Sequence, residues 1–236
     1  MDKNPYFDVQ AEYVGAAELF ASPNPDSDST YYVNVFPGHV GGAIIWALNG
    51  HQAFFIYEED GVVTEPIQIQ PHKELLKACG CKVDAGKKRL QADPGLEYLR
   101  VASFDKDNGE EWIDFNPAPA HRARTSVNYK TFLEKYADTR EGIAAKCING
   151  NDYAKMRKIF KDEELFQPVL YQAKSDSGEG PVYNSFLRVK NLLIITMPMK
   201  VMEDADDDLV TVDAYGNFSN IASTLISSPY AEGIHQ

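Results

Sequence analysis

Residues 31–61 read YYVNVFPGHVGGAIIWALNGHQAFFIYEEDG, and their reading decides the fold. The runs YYVNVF, VGGAIIWAL and QAFFIYEE are rich in aromatic and β-branched residues and are separated by Pro, Gly and Asn, the pattern of short strands joined by tight turns. VVTEPIQIQ, directly after them, continues the pattern. Asn49-Gly50 between two apolar runs predicts a two-residue hairpin, because a type I′ turn needs positive φ at both central positions. That turn sets a register. Leu48 faces His51, Ala47 faces Gln52, Ile45 faces Phe54, Ala43 faces Ile56, Gly41 faces Glu58 and His39 faces Asp60. Side chains alternate across a strand, so His39, Gly41 and Ala43 share one face with Glu58 and Asp60, while Val40, Ile44, Trp46 and Leu48 face the other way.

Outward from this module the signals weaken toward the N-terminus. Residues 1–29 show no clear period, ASPNPDSDST is turn chemistry, and the ordered core is expected to begin near Thr30. Downstream, HKELLKAC after Pro71 predicts a short helix, LEYLRVASF and EWIDF predict further strands, and NPAPAHRARTS is a proline-interrupted connection. VNYKTFLEKYADTREGIAAKCI and NDYAKMRKIFKDEELF carry apolar residues at helical spacing, with Ser126 and Asn151 or Asp152 available as N-caps. PVLYQA reads as a strand, and VYNSFLRVKNLLIITMPMKV suits a buried helix or a buried strand equally. The expected class is α+β within one domain spanning 1–236: an antiparallel sheet mostly from residues 31–115 and helices mostly from 126–165.

Composition narrows the function classes. A hydrophobic fraction of 44% over 236 residues suffices for a buried core. The net charge of −12 argues against a nucleic-acid partner, since phosphate binding requires a concentrated positive field. No run is long and apolar enough for a transmembrane segment, and MDKNPYFDVQAEYVG lacks the basic and apolar regions of a signal peptide. A cytoplasmic protein is expected, with export by a signal-independent route also open. Three cysteines, two of them in ACGCK, suit a reducing compartment. His72 with Cys79 and Cys81 lacks the paired spacing of a zinc site, EDADDD lacks the alternation of a calcium loop, and no phosphate-binding glycine loop or Gly-x-Ser-x-Gly elbow occurs. No cofactor or metal is expected.

One constellation could carry chemistry. Directly opposed strand residues have Cβ atoms about 4.5–5.5 Å apart, so Asp60, or Glu58 on the diagonal, could orient the His39 ring and leave its other nitrogen free as a general base. The same residues also fit the polar end of an ordinary hairpin. GHVGGAIIW followed by a hairpin resembles the strand opening of permuted NlpC-type hydrolases, a branch of the papain-like superfamily that includes lecithin retinol acyltransferase relatives and bacterial secreted effectors. The resemblance covers about residues 31–61. It implies that His39 acts as base, that Glu58 or Asp60 orients it, and that a cysteine farther along the chain is the nucleophile, a place open to Cys147. AAKCINGNDY puts Cys147 at the end of one helix more naturally than at the start of another, which would raise the thiol pKa instead of lowering it. In YNSFLRVKNLL, Leu192 stands where the family's Asn-Cys would put the cysteine. The resemblance implies a thiol hydrolase or acyltransferase acting on an amide or ester, such as a peptidoglycan peptide or a lipid. The alternatives are a catalytically silent protein of the same architecture that binds a protein partner, or an assembly protein whose thirteen Tyr and twelve Phe supply contacts.

Overall fold

The computed structural model describes residues 6–86, 88–105, 109–130, 133–134, 141–144, 150–160, 171–173, 185–189, 191–196, 211–213 and 215–234. The chain opens with strand β1 (Phe7–Gln10) and helix α1 (Ala11–Glu18), then a single helical turn, α2 (Asp28–Tyr31). Strands β2 (Val33–Pro37), β3 (Ala43–Leu48), β4 (Gln52–Glu58), β5 (Val62–Val63) and β6 (Ile67–Ile69) lead to helix α3 (Lys73–Cys79). β7 (Lys88–Ala92), β8 (Leu99–Asp105), β9 (Gly109–Phe115) and β10 (Ala120–Arg122) follow. The second half supplies β11 (Glu141–Ala144), α4 (Gly150–Lys158), β12 (Tyr171–Ala173), β13 (Ser185–Val189), β14 (Leu192–Thr196), β15 (Thr211–Asp213) and α5 (Tyr215–Ile226). Among the described residues no helix is long and apolar enough to cross a membrane.

The fold is α+β with two antiparallel sheets. One has five strands in the order β5-β1-β7-β8-β9, the other ten in the order β10-β6-β2-β3-β4-β14-β13-β12-β11-β15. The central strands of the larger sheet are buried on both faces, which accounts for continuous apolar runs such as AIIWAL and LLIIT where a half-solvated strand would alternate. On one face Val35, Ile45, Ala47, Phe54, Ile56 and Ile194 pack with the small sheet, α1, α3 and the end of α4. On the other, Phe36, Trp46, Phe55, Leu193 and Ile195 pack under Tyr129, Leu133, α5 and Ala231.

Three expectations are corrected here. First, the segment expected to be irregular up to residue 29 holds β1 and α1, and Phe7, Val9, Val14, Ala16 and Ala17 are wholly buried. Buried residues lie on every side of α1, Glu12 among them, so its sequence shows little of the apolar-against-polar contrast by which a surface helix is read. Second, strands are not confined to residues 31–115. Residues 141–144, placed in a helix by their spacing, form β11 between β12 and β15, and the ambiguous run from 182 to 201 contains the antiparallel pair β13 and β14. Third, the hairpin register is shifted by two residues. Leu48 pairs with Ala53 and Ala43 with Glu58, because the turn spans Asn49 to Gln52 instead of two residues. The Asn49 side-chain oxygen accepts from the backbone N–H of His51 at 3.0 Å and of Gln52 at 2.9 Å, so a local Asx interaction outcompetes the tighter turn. A shift of two leaves the side chains of β3 and β4 on their expected faces.

Candidate functional site

The histidine of GHVGG lies outside the strand expected to begin there. β3 starts at Ala43, and residues 38–42 form a turn closed by Gly38 N–H donating to the Gly42 carbonyl at 3.0 Å. Gly41 and Gly42 have φ of +100° and +73°, conformations closed to strand residues with side chains. A Cβ on Gly42 would sit 2.6 Å from the Glu58 carbonyl oxygen, and the Tyr57 hydroxyl donates to the Gly41 carbonyl at 3.1 Å. The small residues thus accommodate the chain's own Tyr57. His39 and Asp60 are both exposed, in separate turns.

Glu58 does share a face with Ala43, but it points into the interior. Its Oε1 lies 2.5 Å from Arg89 Nη1, and its Oε2 accepts from the Gln10 backbone N–H at 2.8 Å. Arg89 Nε in turn lies 2.7 Å from Asp8 Oδ1, and Gln91 donates to Asp8 Oδ2 at 3.0 Å. The group joins β4 of the large sheet to β1 and β7 of the small one. Burial raises the Glu58 pKa above the ordinary glutamate value despite the hydrogen bond from Gln10 and the charge of Arg89. Glu58 therefore serves as an intersheet tie.

The described thiols are poor nucleophile candidates. Cys79 is wholly buried at the end of α3, and burial pushes its pKa up to about 12, so it stays a neutral packing thiol. Cys81 is half-buried, 3.9 Å from the Lys158 carbonyl oxygen. Cys147 lies outside the described residues. Among the described residues no three His, Cys, Asp or Glu gather as metal ligands.

A concave site is built elsewhere, where three distant stretches meet. Glu65 and Pro66, the Arg122-Ala123-Arg124 stretch after β10, and Tyr230 and Ile234 of the C-terminal segment line a groove of about 430 Å³. Backbone bonds hold its walls. Ala123 N–H donates to the Pro66 carbonyl at 2.9 Å, Ser126 N–H to the Ile234 carbonyl at 3.1 Å, and Lys130 N–H to the Ala231 carbonyl at 3.0 Å. Ile234 N–H closes the loop onto the Ser126 hydroxyl at 3.0 Å, and the Ser228 hydroxyl donates to the Pro37 carbonyl at 3.2 Å. Tyr230 is anchored edge-on to Phe36, ring centroids 5.8 Å apart. Ala123, Pro66, Tyr230 and Ile234 supply apolar wall. Of the two arginines, Arg122 is paired with Glu65 and also donates to the Pro94 carbonyl at 3.3 Å. Arg124 is exposed and makes no ion pair with a described carboxylate. No periodicity in the sequence links residues 65, 122 and 230. The available signal was the Arg-Ala-Arg triplet inside a proline-interrupted connection.

No protein-family model matches the chain, and no curated protein matches it. Solved structures do. The Helicobacter pylori beta clamp bound to a DNA ligase peptide has a TM-score of 0.48 at 6% identity, covering 85% of this chain and 67% of the clamp. The DNA polymerase sliding clamp of Bacillus subtilis has a TM-score of 0.44 at 10% identity, covering 84% and 66%. The DNA polymerase III beta subunit of Borrelia burgdorferi has a TM-score of 0.42 at 10% identity, covering 86% and 67%. The chain spans about two thirds of the length of these proteins. The expected resemblance to permuted NlpC-type, papain-like hydrolases is corrected, and the thiol hydrolase or acyltransferase function with its amide or ester substrate falls with it: His39 and Asp60 stand exposed in separate turns, and Glu58 is committed to Arg89 and Gln10. The exclusion of a nucleic-acid partner falls too. A net charge summed over a whole surface does not report its local field.

Proposed function

We propose that this chain is a non-catalytic binding module that holds a short extended segment of a partner protein in the groove between Pro66, Arg122–Arg124 and Tyr230–Ile234. One observation carries the reading: a preformed cleft whose walls mix polar and apolar surface carries, at its rim, an exposed arginine that no described carboxylate neutralises. Tyr230 and Ile234 set beside an arginine suit a ligand that inserts one large side chain and presents one carboxylate. The walls are tied by backbone hydrogen bonds, so little ordering entropy is lost on binding. The free thiols Cys79 and Cys81 fit a protein working in a reducing compartment such as the cytoplasm.

The test is a titration of the full chain with synthetic peptides that pair one aspartate with one leucine or phenylalanine, with asparagine in place of the aspartate as control. Saturable binding that weakens about tenfold on Arg124→Glu, the order expected when a charge-assisted contact is lost, supports the groove. Binding indifferent to both Arg124→Glu and Ile234→Asp removes it.

A second reading has its own observation. The end of α4 lies against the segment after α3: Val83 N–H donates to the Ile159 carbonyl at 2.8 Å and Lys82 Nζ to the Phe160 carbonyl at 2.6 Å. Lys77, Lys82, Lys155, Arg157 and Lys158 thus come from adjoining elements, with Glu18 facing Lys155 and Lys158 and Asp152 facing Lys155. Such a cluster suits a phosphate backbone. Anisotropy of a labelled DNA duplex should then fall steeply between low and physiological salt, and Lys158→Glu should weaken binding. Salt-insensitive binding, or none, excludes it.

A further inference from the structure

β9 is one of the two outer strands of the small sheet, and among the described residues its outer side is unpaired. In register across that sheet, Val9 pairs with Leu90, Leu90 with Val101, and Val101 with Ile113. The first three are wholly buried or nearly so, whereas Ile113 is 51% exposed. Ile113 is the end of an apolar line that the described chain leaves uncovered. On the opposite face Trp112 is 37% exposed, with the Arg100 guanidinium 4.8 Å from its ring centroid. Arg100 is held in turn by Asp114, Nε to Oδ1 at 2.6 Å. Residues 111–114 are all exposed, on both faces of the strand, and β9 pairs only with β8 among the described residues.

We propose that β9 docks an extended, lysine- or arginine-bearing segment of a partner protein, which adds to the five-stranded sheet as a further strand. Main-chain hydrogen bonds to an edge supply affinity, and alternate side chains supply selectivity. An apolar residue of the incoming strand beside Ile113 extends the core line. Charge chooses the partner. GEEWIDF carries three carboxylates and no cation, and Arg100 of the neighbouring strand pairs with Asp114. Pairing this strand with the same strand of a second copy would bring six carboxylates into one two-stranded ribbon in any register, which cross-strand repulsion disfavours. A cationic strand meets complementary charge instead, and the carboxylates guard the edge against unselected pairing.

The test uses the full chain and the peptide acetyl-Lys-Val-Lys-Val-Lys-Val-amide. Of the two tryptophans Trp46 is wholly buried, so an emission change lost in Trp112→Phe reports the edge. The expected result is a saturable blue shift that needs Trp112, at least tenfold slower hydrogen exchange in the complex of the β9 amides that do not donate to β8, and weaker binding by Glu111→Lys. No shift is expected from the peptide with glutamate for lysine, nor from one with methylated backbone nitrogens. The proposal is overturned by no saturable response, or by equal binding of the methylated peptide, which would mean charge attraction alone. It is equally overturned if the β9 amides that do not donate to β8 are already protected in the monomer. An oligomer of the free chain that Ile113→Asp dissociates would assign the edge to a second copy and overturn it as well.

Discussion

β14 and β9 are both strands of antiparallel sheets, and they end in opposite environments. Leu192, Leu193, Ile194, Ile195 and Thr196 of β14 are all buried, between β4 on one side and β13 on the other, with packed layers above and below. Residues 111–114 of β9 are all exposed, although Ile113 lies on the core-facing side of its sheet. The difference teaches that a strand's burial is set by what lies beside and over it. β14 reaches a slot next to β4 that only a distant part of the chain can fill. β9 stands at an edge that no described residue fills.

The comparison is broken most severely in β14. Ile194→Ala should cost about 2–5 kcal/mol, the transfer loss plus the cavity left in a layer that cannot collapse, whereas Ile113→Ala should stay within about 0.5 kcal/mol as an exposed substitution. Urea midpoints of the two variants check the contrast, and equal losses would remove it. Next comes the intersheet tie. Arg89→Met leaves Glu58 buried without its cation and should cost about 3 kcal/mol, again read as a lowered urea midpoint.

Smaller effects come from pH, with opposite signs at the two sites. Burial raises the Glu58 pKa in the folded chain. Between the ordinary glutamate value and that raised value the folded state holds a proton that the unfolded state releases, so this group's contribution to stability falls as pH rises through the window. Glu58→Gln should abolish that slope, and an unchanged slope would show that Glu58 is not its source. At the edge, the hydrogen bond from Arg100 lowers the Asp114 pKa, so its contribution is present above the ordinary aspartate value and is lost as pH falls through the folded one. The pair is exposed, and Asp114→Asn should change stability by no more than about 0.5 kcal/mol.

Much of the architecture was legible in particular residues. The apolar runs around Trp46 and Phe55, the short helix after Pro71 and the strands at LEYLRVASF and EWIDF all follow from local composition and are present. The faces of the β3–β4 hairpin follow from alternation alone and survived an error in turn length. α1 was not legible, because a helix enclosed by other elements needs small residues more than an amphipathic stripe. A Cβ on Gly15 would lie 1.7 Å from the Gly80 carbonyl oxygen, a contact between residues whose neighbours in the chain say nothing of each other.

The histidine shows the same limit at the scale of function. Gly-His-Val before an apolar run is an equally good opening for a strand and for a turn. The positive φ at Gly41 and Gly42, the second of them packed against Tyr57, decided for the turn. Local chemistry, written in side-chain alternation and in glycine, proline and asparagine, was enough to determine that the stretch from Val33 to Ile69 is a series of strands joined by turns. Which carboxylate is buried against which arginine, which strand slots beside β4, and which three segments enclose the groove were decided by tertiary packing. Those are long-range contacts between residues that carry no local periodicity in common, stabilised only once the intervening chain has been ordered.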